Sequence, residues 1–360
     1  MAKLLKELYD ENYINILSNN IINIYFSFDK NNFIASIFND NWKDKKLKQR
    51  MRHISNALYV FLPNNYKESI SILKNTFLKM NTKYSLENMI FQDFVEVYGL
   101  EDFKTSMNAL ECFTINSSSE FAIRQFILKY PNETIEKMQL WAIDKNEHIR
   151  RLASEGCRPR LPWAIALSKF KQNPKEILNI LEILKDDESL YVRKSVANSL
   201  NDISKDNPEI LKDITKNWIG INKNRDWILK HGCRTLLKNG DKEILDLFGF
   251  KENNNIFIDD FVLSKKLKMG ENLTFSFMLK SSESLGKLRI EYSIEFLRLN
   301  NKYAKKVFKI SEGIYDKESK SISKYYSFKP ISTRKYYKGI HKLSIIINGI
   351  VLERKEFIVL

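Results

Sequence analysis

The chain has 360 residues, 43% of them hydrophobic and 29% charged, which is enough apolar material for a sizeable core and too much for a disordered chain. One core seldom spans this length, so two domains are expected. The 59 Lys and Arg against 44 Asp and Glu leave a formal net charge of +15, which favours a polyanionic partner such as nucleic acid or an anionic membrane surface; a Lys- and Asn-rich genome bias would produce the same excess.

The opening, Met1-Ala2-Lys3-Leu4-Leu5-Lys6-Glu7-Leu8, is charged within its first turns, and no apolar run approaches a membrane span. Secretion and membrane insertion are not expected. Cys112, Cys157 and Cys233 are odd in number and widely spaced, which argues against a disulfide framework or zinc ligation and for the cytosol. His53, His148, His231 and His341 are scattered, without a helix-spaced pair, and read as surface or packed residues. With 11 glycines in the whole chain, no Gly-rich phosphate loop or nucleophile elbow is visible. Kinase, NTPase and α/β-hydrolase chemistries fall away, and no metal or organic cofactor is implied.

From the N-terminus to about Phe250 the apolar residues recur at helical spacing, as in Met51 to Phe61, Phe121 to Leu128 and Glu176 to Leu184. Clusters such as Tyr130-Pro131-Asn132-Glu133, Lys171-Gln172-Asn173-Pro174 and Lys205-Asp206-Asn207-Pro208 cut this region into helical hairpins. Ile149-Arg150-Arg151-Leu152-Ala153 aligns with Val192-Arg193-Lys194-Ser195-Val196 at a spacing of 43, and Lys194, Ala197 and Leu200 align with Lys230, Cys233 and Leu236 at 36. These periods predict a HEAT-like solenoid over residues 1–250, whose stacked hairpins share a core and present one concave face. Trp141, Trp218 and Trp227 sit at positions that pack in such a solenoid.

After about Phe250 the pattern changes to short alternating runs, Leu273 to Leu279, Leu288 to Phe296, Lys306 to Ile310, Ser321 to Phe328, His341 to Asn348 and Val351 to Val359, with Asn348-Gly349 as a hairpin turn. About seven strands predict an immunoglobulin-like β-sandwich over residues 251–360, without the Cys pair and core Trp of antibody domains. The fold class is thus α+β multidomain. This last third has 22 Lys and Arg against 12 Asp and Glu, a difference of +10, which makes the sandwich a candidate clamp on a polyanion. Its Arg334-Lys335-Tyr336-Tyr337-Lys338 run interleaves charge with aromatic rings, as a nucleic-acid contact or a strand face with flanking lysines would.

The stretch Arg150-Arg151-Leu152-Ala153-Ser154-Glu155-Gly156-Cys157-Arg158-Pro159-Arg160-Leu161-Pro162-Trp163 concentrates one carboxylate, several arginines and an aromatic ring at a single turn. A helix is expected to end near Glu155-Gly156, a Pro-stiffened loop to expose Arg158 and Arg160, and Pro162 to begin the next helix beside Trp163. Asn198 and Asp202, four residues apart, would share one helix face.

The segment from Ala153 to Trp163, with Val192 to Asp206 and His231 to Leu237, resembles the signature of AlkC-type DNA glycosylases within the HEAT-like-repeat alkylpurine glycosylase superfamily. One subgroup also carries a C-terminal immunoglobulin-like domain, as expected here. The resemblance implies excision of cationic N3-alkylated bases, 3-methyladenine and 3-methylcytosine, from double-stranded DNA by hydrolysis of the N-glycosidic bond without base flipping. It further implies Glu155 and Asp202 as carboxylates near the deoxyribose, Trp163 as the aromatic face and Glu120 as another acid beside the lesion. Arg151, Arg158, Arg160, Lys194, Asn198, Lys230 and Arg234 would line a DNA-binding groove. A cytoplasmic, nucleoid-associated monomer is the expectation, and a non-catalytic HEAT-repeat scaffold is the rival from another class.

Overall fold

Polar and proline punctuation sets the helix boundaries of the first 250 residues. In the computed structural model, which describes residues 4–331 and 334–360, the Met1-Ala2-Lys3 opening lies outside the described residues. Among those described are sixteen α-helices. The first six are α1 (Glu11–Ile22), α2 (Lys30–Ile37), α3 (Leu47–Phe61), α4 (Tyr66–Lys79), α5 (Met89–Tyr98) and α6 (Phe103–Thr114). Then come α7 (Ile123–Lys129), α8 (Pro131–Trp141), α9 (Glu147–Gly156), α10 (Ser168–Gln172), α11 (Lys175–Leu184) and α12 (Leu190–Ile203). The last four are α13 (Pro208–Trp218), α14 (Lys223–Gly232), α15 (Arg234–Asn239) and α16 (Lys242–Leu247).

Side-chain caps fix where several helices begin: Asp102 accepts from the Thr105 N–H, Asn146 from His148 and Ser189 from Tyr191. Pro131 and Pro208 each stand at the first helical position, where no intrahelical donor is lost. The 43-residue repeat extends to individual hydrogen bonds. Arg150 Nη1 donates to the carbonyls of Asp144 and Lys145, and Arg193 Nη1 to those of Asp187 and Glu188. These arginines therefore tie α9 and α12 to their preceding turns. The aligned lining helices pack in sequence, α9 on α12 and α12 on α14.

Strands replace helices between Leu247 and Phe257. They are β1 (Phe257–Leu263), β2 (Lys266–Leu267), β3 (Asn272–Lys280), β4 (Gly286–Leu297), β5 (Tyr303–Tyr315), β6 (Ser319–Ser327), β7 (Gly339–Ile347) and β8 (Ile350–Val359). One sheet has the order β1-β3-β6 and the other β2-β8-β7-β4-β5, and Phe275, Phe277, Ile290, Ile294, Phe328 and Phe357 belong to the core of the sandwich. Eight strands form where about seven were expected. The Asp259-Asp260 pair interrupts alternation in β1 at a bulge, with Asp260 at φ +51°, and β2 has only two residues.

The chain divides into two compact units, Met1–Asn207 with Gly220–Gly232, and Pro208–Ile219 with Cys233–Leu360. The second unit takes in α13, α15 and α16 along with the strands. Lys212 of α13 pairs with Asp241 and Glu243 at 3.2 and 3.4 Å, and Thr215 meets Cys233 at 3.3 Å. Trp141 and Trp218 are buried. Trp227 departs from the expected core placement: it is half-buried and stacks on His231, with centroids 5.4 Å apart.

The Asn348-Gly349 turn joins β7 to β8 with both residues at positive φ, +47° and +84°, the conformation two-residue hairpins favour. A Cβ on Gly349 would lie 2.6 Å from Leu245 Cδ1 and 3.2 Å from Gly240 Cα, so only glycine fits. His341 on β7 is fully buried and stacks on Phe357. Its Nδ1 accepts from the Leu297 N–H at 3.2 Å and its Nε2 lies 2.9 Å from the Tyr337 carbonyl, which assigns the neutral tautomer. Burial pulls the His341 pKa below its ordinary value. The unfolded chain therefore takes up this proton first as pH falls through about 6.5, and stability drops. The denaturation midpoint of the wild type is expected to fall between pH 7.5 and 5.5 by more than that of His341→Gln, which keeps an acceptor and a donor without titrating; equal falls would remove His341 as a source of acid lability.

Candidate functional site

The site is assembled where α9 ends. Gly156 closes that helix at a packing point: a Cβ there would sit 2.6 Å from Ile123 Cγ2 and 3.1 Å from Met138 Cε. The chain then enters a loop through Leu167, and the next helix begins at Ser168. Pro162 opens a turn in place of the expected helix, and Trp163 within it takes φ +64°.

The loop does not expose Arg158, contrary to the sequence expectation. The Arg158 side chain is 8% exposed, because its guanidinium bridges two carboxylates. Its Nη1 lies 2.6 Å from Glu155 Oε1, and its Nε and Nη2 each lie 2.9 Å from Asp202 Oδ2. Lys205 reaches the other oxygen of Asp202 at 3.0 Å. Burial works against the Arg158 charge, but Glu155 and Asp202 outweigh it and hold the guanidinium above its ordinary pKa. Arg151 pairs with Glu120, donates to Ser118 Oγ at 2.7 Å and lies 3.6 Å from Glu155. Burial likewise opposes its charge, and Glu120 and Glu155 overcome that. Three acids and three cations thus interlock across α9, the loop after it, α12 and the turns before α7 and after α12.

Glu120, Glu155 and Arg158 form the polar wall of a cleft of about 300 Å³, whose apolar lining includes Met51, Met89, Phe121, Leu161 and Trp163. That volume is at the lower end of small-molecule sites. Trp163 is 65% exposed. Lys48 of α3 donates to the Trp163 carbonyl and lies 4.2 Å over the Phe121 ring, so one ammonium joins two turns at the rim. Asp202 is buried and does not line the cleft; it acts on it through Arg158.

The remaining candidates spread out. Arg160 makes a two-pronged pair with Asp206 at 2.9 and 2.6 Å, and its side chain is partly exposed. Lys194 is exposed on α12 and Asn198 half-buried one turn later. Lys230 is on α14, and Arg234 opens α15 in the second compact unit.

One residue central to the site escaped sequence reading. Arg124, on the first turn of α7, is fully buried. It donates to the carbonyls of Gly156 at 3.0 Å, Arg158 at 2.8 Å and Ile165 at 2.8 Å. Burial lowers its pKa to about 10, which leaves it charged at neutral pH. The same enclosure pushes the Cys157 thiol up to about 12, so this cysteine is an inert packing residue. Because Arg124 bonds backbone and not side chains, its only sequence signal was its place directly after Glu120 to Ile123. Arg124→Ala is expected to orphan three loop carbonyls and lower stability by about 3 kcal/mol, read from chemical denaturation. An unchanged midpoint would show that the loop is held by other contacts.

Two family models match the chain, "DNA alkylation repair enzyme" over residues 111–236 and "Uncharacterised protein YhaZ, C-terminal Ig-like domain" over residues 258–360. The chain is 45% identical over 355 residues to YhaZ of Bacillus subtilis (strain 168), covering 98% of each. It is also similar to the Pseudomonas fluorescens alkylpurine DNA glycosylase AlkC, solved bound to DNA containing an abasic site analog. That match has 34% identity and a TM-score of 0.95, and covers 99% of this chain and 100% of the other. With this identity and coverage, a helical region and an immunoglobulin-like sandwich, the chain belongs to the AlkC family of DNA alkylation repair proteins, in the branch that shares the YhaZ C-terminal domain.

Proposed function

We propose that this protein is a monofunctional DNA glycosylase that hydrolyses the N-glycosidic bond of 3-methyladenine and 3-methylcytosine in double-stranded DNA, leaving an abasic site, without flipping the base and without a cofactor. The observation that carries this reading is the pairing of two carboxylates, Glu155 and Asp202, on one buried guanidinium at the wall of an open cleft. N3 alkylation makes the base a cation and hence a good leaving group, so a general acid is not the main need. As the bond breaks, the base departs neutral with the bonding electron pair and positive charge grows on the deoxyribose. Glu155 at the wall and Asp202 behind it supply the opposing negative potential, and Glu120 adds to it from the other side. Arg158 keeps the carboxylates aimed; with Arg151 and Lys205 the cluster is formally neutral, so the effect rests on where the carboxylate oxygens are fixed and not on a net negative charge. A water oriented by these oxygens adds to the sugar cation through oxygen and releases its proton to solvent, so that neutral base, abasic sugar and one proton balance the step.

The exposed Trp163 ring offers a π face to the cationic base. The two carboxylates of the polar wall suit a cation. Lys194, Asn198, Lys230 and Arg234 would position the phosphodiester backbone, with Arg160 joining them on exchange of Asp206 for phosphate. Arg151 and Arg158 act within the carboxylate cluster. The DNA present in the AlkC complex supports a DNA partner.

One observation favours the scaffold reading: Glu155 and Asp202 already have cationic partners, as structural ion pairs do. Base release decides. Glu155→Gln and Asp202→Asn are each expected to slow release of 3-methyladenine and 3-methylcytosine from methylated duplex by about 100-fold or more, with DNA affinity nearly retained. Asp202→Asn leaves Arg158 short of a buried partner, so its thermal midpoint should be lower than that of the wild type. Undiminished release by the variants would remove the carboxylates from the mechanism. Tight binding by the wild type with no release at all would leave the scaffold.

A further inference from the structure

We propose that the groove between α15 and β5 of the second compact unit binds the phosphodiester backbone of duplex DNA through Lys238, Lys305 and Lys306. The proposal rests on the reading of this protein as one that acts on DNA. The groove has a volume of about 540 Å³ and is lined also by Thr235, Asn239 and Phe308. Lys238 comes from the helix, and the other two lysines from β5, the edge strand of its sheet. Successive strand residues point to opposite faces, and at the free edge of the sheet both Lys305 and Lys306 line the groove.

Among the described residues none of these three ammonium groups has a carboxylate within ion-pairing distance; several lysines of the same unit are unpaired, but these three share one groove, whereas others are paired. Lys212 and Lys216 pair with Glu243, Lys280 with Asp259 and Lys342 with Glu356. The acid that the strand register sets opposite Lys305 is Glu295, and Arg354 engages it. Lys306 faces Arg334, Lys238 and Arg298, and burial together with these three cations lowers its pKa. Like charges gathered this way repel, and a bound polyanion relieves the repulsion. Edge lysines commonly guard a sheet against pairing with another chain, but that role does not account for the helix lysine facing them. Ammonium groups on two elements, each a point charge without a fixed fork, suit phosphates and not base edges.

The test is binding of full-length protein to an unmodified duplex across a salt series, followed by fluorescence anisotropy. In the triple variant K238Q/K305Q/K306Q the slope of log Kobs against log salt is expected to become shallower by about 2 to 3, at about 0.9 for each phosphate no longer neutralised. The control K216Q/K280Q/K342Q removes three charges from paired positions and should change the slope far less. Equal changes in the two triples would overturn the groove in favour of net charge, and an unchanged slope in the first would overturn it outright. Without DNA, K306Q should raise the thermal midpoint at low salt, and a lowered midpoint would overturn the proposal by making the lysine structural. Loss of binding to an RNA duplex with DNA binding intact would also overturn it. Because the duplex is unmodified, none of these outcomes depends on base release, so the groove and the glycosylase reading can fail separately.

Discussion

A guanidinium removed from water must keep its carboxylates close, and this requirement at Arg158 organises the candidate site. Its partners come from the last turn of α9 and the last turn of α12, so the two lining helices cannot slide past each other without leaving a buried charge unpaired. That loss is typically worth several kcal/mol. The pair geometry therefore locks successive hairpins in register. The Ser154–Ser195 hydrogen bond at 2.7 Å between the same helices adds a second, neutral tie. The same constraint fixes Glu155 at the wall of the cleft and Asp202 behind Arg158, the kind of preorganisation that the proposed electrostatic role requires.

Around that centre the support is layered. Arg124 holds the backbone of the loop that carries Arg158 and Trp163, and Arg151 draws the Glu120 turn toward Glu155. Lys48 ties the rim from α3. Each of these cations bonds inward to the protein, so the residues nearest the cleft are poor candidates for gripping phosphates. In the function proposed above, binding and chemistry accordingly fall to different arginines and lysines.

Much of this was legible in the sequence, for identifiable reasons. Helical periodicity and the 43-residue spacing reflect packing that repeats, down to the paired bonds of Arg150 and Arg193. The Asn348-Gly349 turn followed from backbone stereochemistry alone. The errors arose where partners are distant or unreadable. Arg158 looked exposed because prolines flank its loop, whereas its burial depends on Asp202, 44 residues away. Arg124 was missed because its partners are carbonyls, which every residue possesses. Pro162 starts a turn and not a helix, as Trp163 takes a left-handed conformation that no local rule demanded. Strand β1 was hidden by its two aspartates.

The central claim is that Glu155 and Asp202 stabilise positive charge on the sugar, and the most direct measurement is the affinity for duplexes carrying a cationic pyrrolidine abasic analogue against the neutral tetrahydrofuran analogue. The account predicts that the wild type binds the cationic duplex at least about tenfold more tightly, a difference of about 1.4 kcal/mol, and that Glu155→Gln and Asp202→Asn abolish the preference while binding the neutral duplex normally. Equal affinity of the wild type for the two duplexes would contradict it.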